Sequence, residues 1–188
     1  MIPYTTEARQ DTGVSNVTLG FWLFIASEVM LFGALFSSYA LLRVSATEWP
    51  SGRDLLSLTL GSANTALLML LTAVAWRAGR ARPAAARGLL VVVSALALVF
   101  LTIKGLEYSG KWRSGQVPAT STFFAMYYTL TGIHALHVLG GIVANLWVTA
   151  GAASAGDALT SARLRVVSHY WVFVDLVWLM IFAGMYLA

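Results

Sequence analysis

The stretch TGIHALHVLGG, Thr131 to Gly141, places two histidines three residues apart inside an apolar run from about Thr122 to Val148. Residues at this spacing lie on neighbouring positions of one helix face, about 5 to 6 Å apart. An ionisable side chain at the centre of a bilayer costs roughly 2.5 to 3.5 kcal/mol on insertion scales, so it normally faces other protein. His134 and His137 therefore predict a membrane helix whose histidine-bearing face is covered.

Polar and small residues of this run form one stripe. At about 100° per residue, four of them fall within about 20° of one line along the helix, namely Tyr127, His134, Gly141 and Asn145. His137 lies about 60° to one side of that line. We expect the stripe to face the interior of a helix bundle.

The composition identifies the class of protein. Of the 188 residues, 59% are hydrophobic and 11% are charged, and the mean hydropathy is +0.75. Soluble domains have a charged share of about 25%, so this chain is an integral membrane protein. It has no cysteine, which excludes disulfides, thiolate metal ligands and catalytic thiols.

Five apolar runs are long enough to cross a bilayer core of about 30 Å as helices. They are Leu19–Leu42, Leu55–Trp76, Gly88–Leu106, Thr122–Val148 and Val166–Leu187. The predicted fold is therefore all-α, a polytopic membrane helix bundle with five transmembrane helices. We expect residues 1–18 to form a polar cytoplasmic tail without the features of a signal peptide, and residues 19–188 to form one transmembrane domain.

The placement of positive charge predicts the orientation in the membrane. Lys and Arg number 7 on the side of the N-terminal tail and 5 on the other side, with four Arg in the link Arg77–Arg87. The positive-inside bias then places the N-terminus in the cytoplasm and the C-terminus outside. The formal net charge of +4 is small, so it indicates topology and not a nucleic-acid-binding surface.

Further polar residues inside the predicted spans are Glu28, Asn64 and Asp175. At 1.5 Å per residue, Glu28, Asp175 and His137 all lie roughly 13 to 17 Å from the inner surface. We therefore expect Glu28 to hydrogen-bond His137 and Asp175 to complete the group from the fifth helix. Asn64 has the position of a residue that serves helix packing and interhelical hydrogen bonds. The predicted intramembrane polar cluster comprises Glu28, Asn64, His134, His137 and Asp175.

Two other ionisable residues, Glu107 and His169, lie near the ends of spans, and we predict that both are interfacial. Lys104 precedes Glu107 by three residues, and such a pair at the membrane surface is worth under about 1 kcal/mol.

No complete active site is visible in the sequence. Two His three residues apart could both touch one metal, but a transition-metal site needs further ligands. A b-type haem held by His134 or His137 together with His169 is a second arrangement that the same residues allow. Because nothing resembles a phosphate loop, a nucleophile elbow or a zinc-protease helix, we predict no catalytic residue, cofactor or metal in this chain.

Motifs in all five spans, taken in order, resemble subunit III of haem-copper oxidases. They are GFWLFIASEVMLFGALF at Gly20–Phe36, the pair Asn64-Thr65, the pair Glu107-Tyr108, STFF at Ser121–Phe124, TGIHALHVLGG, and YWVFVDLVWL at Tyr170–Leu179. The ordered pair TGxHxLHVxxG and YWxFVDxVW is the most specific part of the resemblance.

This resemblance implies an accessory subunit of a proton-pumping terminal oxidase of aerobic respiration, in the bacterial cytoplasmic membrane. Such a subunit carries no redox centre, packs mainly on subunit I with subunit II as a further partner, and supports proton uptake. Haem and copper are then expected in the partner subunits, and membrane lipids around the chain. Five spans resemble the bacterial form of quinol oxidases and some cytochrome c oxidases. Family members often have His where this chain has Val172, so any role of that His is absent here or has moved to His169.

Two other functions remain open at this point. A subunit III-like protein associated with nitric oxide reductase would share every motif quoted above. A small proton-coupled transporter would also have carboxylates and His near the middle of the membrane, although the sequence has neither an internal repeat nor a pair of Gly/Pro-broken helices.

Overall fold

The computed structural model describes residues 5–151 and 156–188, and within these ranges the chain is helical with no strand. The elements are α1 (Asn16–Ser45), the short α2 (Gly52–Leu55), α3 (Leu58–Ala78), α4 (Pro83–Arg113), α5 (Thr122–Gly151) and α6 (Asp157–Ile181), which continues as a π-helix (Phe182–Leu187). Five of the described helices are long and apolar enough to cross a membrane, which confirms the predicted all-α bundle. Residues 1–4 of the predicted tail and 152–155 of the predicted last link lie outside the described residues.

Local sequence signals set several helix ends. Ser15 and Ser57 cap α1 and α3, their hydroxyls accepting from the backbone N–H of Thr18 and Leu60 at 3.3 Å. Pro83 opens α4, where its missing N–H costs no hydrogen bond. After α4 the chain turns at Gly115, whose φ of +73° is a left-handed conformation that glycine adopts at least cost.

The helices extend beyond the apolar runs. Helix α4 continues to Arg113, and α6 begins at Asp157, inside a segment that the sequence predicts as a link. The length of an apolar run reflects the thickness of the bilayer core. The helix itself can extend beyond that core where its further side chains pack against other helices. In the first turns of α6, Thr160, Ala162 and Leu164 are buried, which explains the extension.

A core of four helices, α3, α4, α5 and α6, holds most of the packing contacts. Its centre contains Trp171 and Trp178, two turns apart on α6 and without exposed surface. Gly141 on α5 makes room for Trp171: a Cβ added there would lie 2.6 Å from the indole Cζ2. The stripe predicted from the sequence lies in this core, since Tyr127, His134, Gly141 and Asn145 are all buried.

Helix α1 lies outside this core, against α6 and α5. Its buried residues, Ile25, Phe32 and Tyr39, recur every seven residues and form a narrow seam. The rest of the helix exposes large apolar side chains, including Trp22, Met30 and Leu41. At the C-terminal end of the seam the Tyr39 hydroxyl donates to the Gly184 carbonyl oxygen in the π-helix, which fixes α1 to the end of α6.

Candidate functional site

Glu28 and His137 form a contact between the peripheral helix and the core. The Glu28 Oε2 atom lies 2.8 Å from Nε2 of His137, joining α1 to α5 as the depth argument predicts. Nδ1 of His137 lies 2.8 Å from the carbonyl oxygen of Ile133, which can only accept, so Nδ1 carries a proton. The remaining proton lies between Nε2 and the carboxyl group, and the pair is either a neutral acid with a neutral imidazole or a carboxylate with an imidazolium.

The pair is held in position by contacts from α1 and α6 but is not enclosed. The Phe32 ring lies 5.0 Å from the imidazole, and the Tyr170 hydroxyl donates to the His137 carbonyl oxygen at 2.8 Å. The side chains of His137 and Glu28 remain 14% and 16% exposed. The pair therefore presents a polar, partly exposed edge at the flank of the bundle, within a helix long and apolar enough to span a membrane.

His134 has different surroundings from His137, although only one turn separates them. It is fully buried, and neither ring nitrogen has a hydrogen-bond partner. The rings of Phe100 and Trp178 flank it at centroid distances of 5.6 and 5.3 Å. His134 is therefore a packing residue of the aromatic core in this structure. Among residues 5–151 and 156–188, no three His, Asp or Glu side chains converge as a metal site would require.

The structure does not gather the five predicted residues into one cluster. Asp175 is buried at the contact of α6 with α3, near Thr72, and its Oδ1 atom has no hydrogen-bond partner. The expected completion of the Glu28 and His137 pair by Asp175 is therefore wrong. The three residues share a predicted depth, but Asp175 points toward a different neighbouring helix. Asn64 is also fully buried, and neither atom of its amide has a partner, so it makes no interhelical hydrogen bond in this structure.

A buried polar cluster, larger than the Lys104 and Glu107 pair that the sequence suggests, lies around Lys104 in the half of the bundle that holds the C-terminus. Its Nζ donates to Glu107 Oε2 at 2.8 Å, to the Tyr127 hydroxyl at 3.1 Å, and to the Tyr186 hydroxyl. The Tyr186 hydroxyl in turn donates to Glu107 Oε1 at 3.0 Å. All three N–H groups of the ammonium therefore have acceptors, supplied by α4, α5 and the π-helix.

The expectation of an exposed rim pair at Lys104 and Glu107 is corrected by this geometry. Both side chains are only 3% exposed, so Glu107 lies inside the protein and not at its interface with solvent. The sequence did indicate that Lys104 is buried, because Lys104 falls inside the third apolar run just as Glu28 falls inside the first. The covering residues Tyr127 and Tyr186 come from distant segments, and no local pattern reveals that they converge here.

A second chain of hydrogen bonds links helices in the opposite half of the core, away from the C-terminus. Trp171 Nε1 donates to Asn145 Oδ1 at 3.2 Å, and Asn145 Nδ2 donates to Ser94 Oγ at 3.0 Å. Three helices, α6, α5 and α4, are thereby linked at one level. Asn145 is thus a structural member of the predicted stripe.

His169 is exposed on α6, one turn before Val172. Its ring contacts Phe21 of α1 and Trp76 of α3, with centroid distances of 6.3 and 5.4 Å. It makes no hydrogen bond or ring contact with Glu28 or His137, and it lies at the end of the bundle where α1 begins.

Comparison with known proteins gives a consistent result across nearly the whole chain. Residues 5–188 match the family model of cytochrome c oxidase subunit III. Subunit 3 of the cytochrome bo(3) ubiquinol oxidase of Pseudomonas aeruginosa is 30% identical over 96% of this chain and 88% of its own length. Subunit 3 of the cytochrome c oxidase of Bacillus sp. strain PS3 is 31% identical over 98% and 92%. The haem-copper oxidase subunit I+III of Aeropyrum pernix is 32% identical over 88% of this chain but only 22% of its own length.

Proposed function

Because the chain belongs to the cytochrome c oxidase subunit III family, we propose that it is the accessory subunit III of a proton-pumping haem-copper terminal oxidase. In this proposal it carries no redox centre, stabilises the catalytic subunit and supports proton uptake by that subunit. Haem and copper belong to the partner subunits. The relatives named above are oxidase subunits, which favours this function over the nitric oxide reductase and transporter alternatives.

The contact between Glu28 and His137 carries the proposal. It supplies a group that can exchange a proton within the membrane, and it places that group at the partly exposed flank of the bundle. A carboxyl group in such a place is costly unless it has a function or a partner. We infer that the pair keeps α1 positioned for the catalytic subunit and maintains protonatable groups next to it.

The main partner in this proposal is subunit I, with subunit II as a further partner. The relative from Aeropyrum pernix is named as a fusion of subunits I and III, so in that protein the two parts are adjacent in one chain. On this chain the least covered helix is α1, whose exposed side chains include Phe24, Val29 and Leu31. A bacterial inner-membrane location with the N-terminus in the cytoplasm agrees with the Arg-rich link between α3 and α4.

The test compares Glu28→Ala with Glu28→Gln in the assembled enzyme. Glu28→Ala removes the link to His137, so we expect a normal haem spectrum but earlier loss of activity during turnover, or loss of this subunit on purification. Glu28→Gln keeps a group that hydrogen-bonds His137 but cannot exchange a proton. It should retain the subunit, and a shortened active lifetime in this variant would separate proton exchange from attachment. Oxygen consumption followed to exhaustion and a subunit-retention assay are the two measurements.

Ser27→Ala is the matched control, because Ser27 is exposed on the neighbouring position and its hydroxyl donates only to the Phe24 carbonyl oxygen of its own helix. It should behave as the parent enzyme does. Full retention and an unchanged lifetime in Glu28→Ala would show that Glu28 has no special role.

A further inference from the structure

Helix α1 has a second polar attachment to the bundle, about three turns after Glu28. Tyr39 is buried, and its hydroxyl donates to the Gly184 carbonyl oxygen in the π-helix. Nη1 of Arg43 donates to the same phenol oxygen at 3.2 Å, so the phenol hydrogen stays directed at Gly184. Tyr39 lies about 16 Å from Glu28 along the helix axis. The two attachments therefore hold different halves of α1.

These attachments matter because apolar packing alone fixes a peripheral membrane helix weakly. Lipid tails are as apolar as the side chains of α1, so the burial of apolar surface does not favour the bundle over the bilayer. The seam of α1 buries a residue only at every seventh position, at Ile25, Phe32 and Tyr39. The hydrogen bonds that α1 makes with other helices therefore determine where its two halves lie.

The acceptor of the second attachment belongs to a short helix that is seated on the buried ion pair. Tyr186, which follows Gly184 by two residues, has no exposed surface. Its hydroxyl donates to Glu107 Oε1 at 3.0 Å and accepts from Lys104 Nζ. Its ring lies against Gly61 of α3, where an added Cβ would be 2.7 Å from the ring Cδ1 atom. Tyr186 therefore fixes the rotation of the π-helix from inside the bundle.

The rotation of the π-helix decides whether Tyr39 finds its acceptor. A hydrogen bond weakens steeply when its angle falls below about 120°, so the Gly184 carbonyl group must face the hydroxyl. Gly184 has no side chain to hold it there, and Tyr186 in the same helix sets its direction. From outside, Arg53 Nε donates to the Leu187 carbonyl oxygen at 3.1 Å, but this bond is exposed and water can replace it. A continuous series of contacts thus joins the buried ion pair of α4 to the C-terminal half of α1.

We propose that Tyr186 is a positioning residue for α1, which it holds in place for the catalytic subunit through the Gly184 carbonyl group and Tyr39. The ion pair of Lys104 and Glu107 is then the seat of this arrangement and not only a part of the core. The clause about the catalytic subunit rests on the function proposed above, in which α1 is the helix positioned for that subunit. The positioning itself rests on contacts within this chain.

The experiment measures distances between two spin labels by pulsed electron paramagnetic resonance in the full chain purified in detergent. The chain has no native cysteine, so labels attach only where cysteine is introduced. One label pair, at Val44→Cys and Leu106→Cys, reports the C-terminal half of α1. A second pair, at Leu23→Cys and Leu146→Cys, reports the N-terminal half. All four positions are exposed.

Tyr186→Phe keeps the ring against α3 and removes only the hydroxyl that contacts the ion pair. We expect the distance distribution of the first label pair to broaden and to shift to longer distances, and that of the second pair to stay as in the parent. Tyr39→Phe removes the attachment directly and should give the same result. The double variant should show no further change, because both substitutions break one series of contacts.

Tyr128→Phe is the matched control. It also removes a phenol that donates to a backbone carbonyl oxygen, that of Gln116 at 2.9 Å, but this bond involves neither α1 nor the π-helix. It should leave both distributions unchanged. Parental distances for the first pair in Tyr186→Phe would overturn the proposal, and so would equal broadening of both pairs, which indicates a general loosening of the bundle.

The assembled enzyme tests the clause about the catalytic subunit separately. Tyr186→Phe and Tyr39→Phe should each lower retention of this subunit on purification, and Tyr39→Phe combined with Glu28→Ala should lower it further than either substitution alone. Parental retention in variants whose α1 distances have changed would overturn the use of α1 toward the catalytic subunit. The distance measurement requires no partner, so its failure is distinguishable from a failure of the proposed function.

Discussion

At the scale of single residues, Lys104 shows how a full charge is accommodated inside a membrane bundle. Besides its three acceptors, the ammonium lies 4.9, 5.1 and 5.2 Å from the ring centroids of Tyr127, Tyr186 and Trp178. Ring faces attract cations, and the attraction increases when water is excluded. The buried ion pair is thus surrounded by groups that compensate for much of its lost hydration.

Removing one member of this pair should be far more damaging than removing both. Lys104→Met leaves the Glu107 carboxylate buried without its counter-charge, and we expect a loss of about 3 to 5 kcal/mol in the free energy of unfolding. In Lys104→Met with Glu107→Leu no buried charge remains, so the loss should be distinctly smaller. Denaturant titration of the purified protein in detergent, followed by tryptophan fluorescence, measures both. If Lys104→Met were as stable as the parent, the site around Glu107 would have to be open to water.

At the scale of elements, the contact of α5 with α6 depends on the absence of a side chain at position 141. The indole of Trp171 occupies the space that a Cβ would need, and its Nε1 is anchored on Asn145. The helices therefore pack closely at this point, with the smallest residue facing the largest one. Close approach through small residues is a general feature of membrane helix packing.

Neighbouring glycines on α5 provide a direct test of this contact. Gly141→Ala forces a Cβ to within 2.6 Å of Trp171, and overpacking of this kind costs typically 1 to 3 kcal/mol. At Gly140 the nearest atom to an added Cβ is the Tyr170 hydroxyl at 3.5 Å, an ordinary contact. Since alanine is favoured over glycine in a helix by about 1 kcal/mol, Gly140→Ala should be neutral or stabilising. The apparent Tm of the two variants in one detergent gives the comparison, and equal Tm values would contradict the assigned packing.

At the scale of the whole molecule, five crossings require the two ends of the transmembrane domain to lie on opposite sides of the membrane. The link between α3 and α4 then lies on the same side as the start of α1. Its four arginines predict that this side is the cytoplasm.

Cysteine labelling tests this topology with little interference, because the sequence contains no native cysteine. Ala84, in the first turn of α4, and the last residue Ala188 are both exposed. In intact cells an impermeant maleimide should label Ala188→Cys and leave Ala84→Cys unlabelled until the membrane is opened. Labelling of both positions from one side would refute five crossings, and the reverse pattern would refute the orientation alone.

The sequence by itself determined the class of protein and the number of helices long enough to span a membrane, and it predicted the depth of each ionisable residue. It did so because bilayer thickness fixes how many apolar residues a crossing needs, and the constant rise of a helix converts residue number into depth. The burial of His134 and the contact between Glu28 and His137 follow from periodicity and depth together.

Only the tertiary structure decided which residues at one depth meet. It separated Asp175 from Glu28, and it left the side chains of Asn64 and His134 without hydrogen bonds. It also enclosed Lys104 and Glu107 with Tyr186 from the end of the chain. Depth is a property of one helix, but the rotation of each helix and the choice of its neighbours depend on how all the side chains pack together. The fit of Trp171 against Gly141 is a contact of this kind, and it becomes defined only when α5 and α6 are side by side.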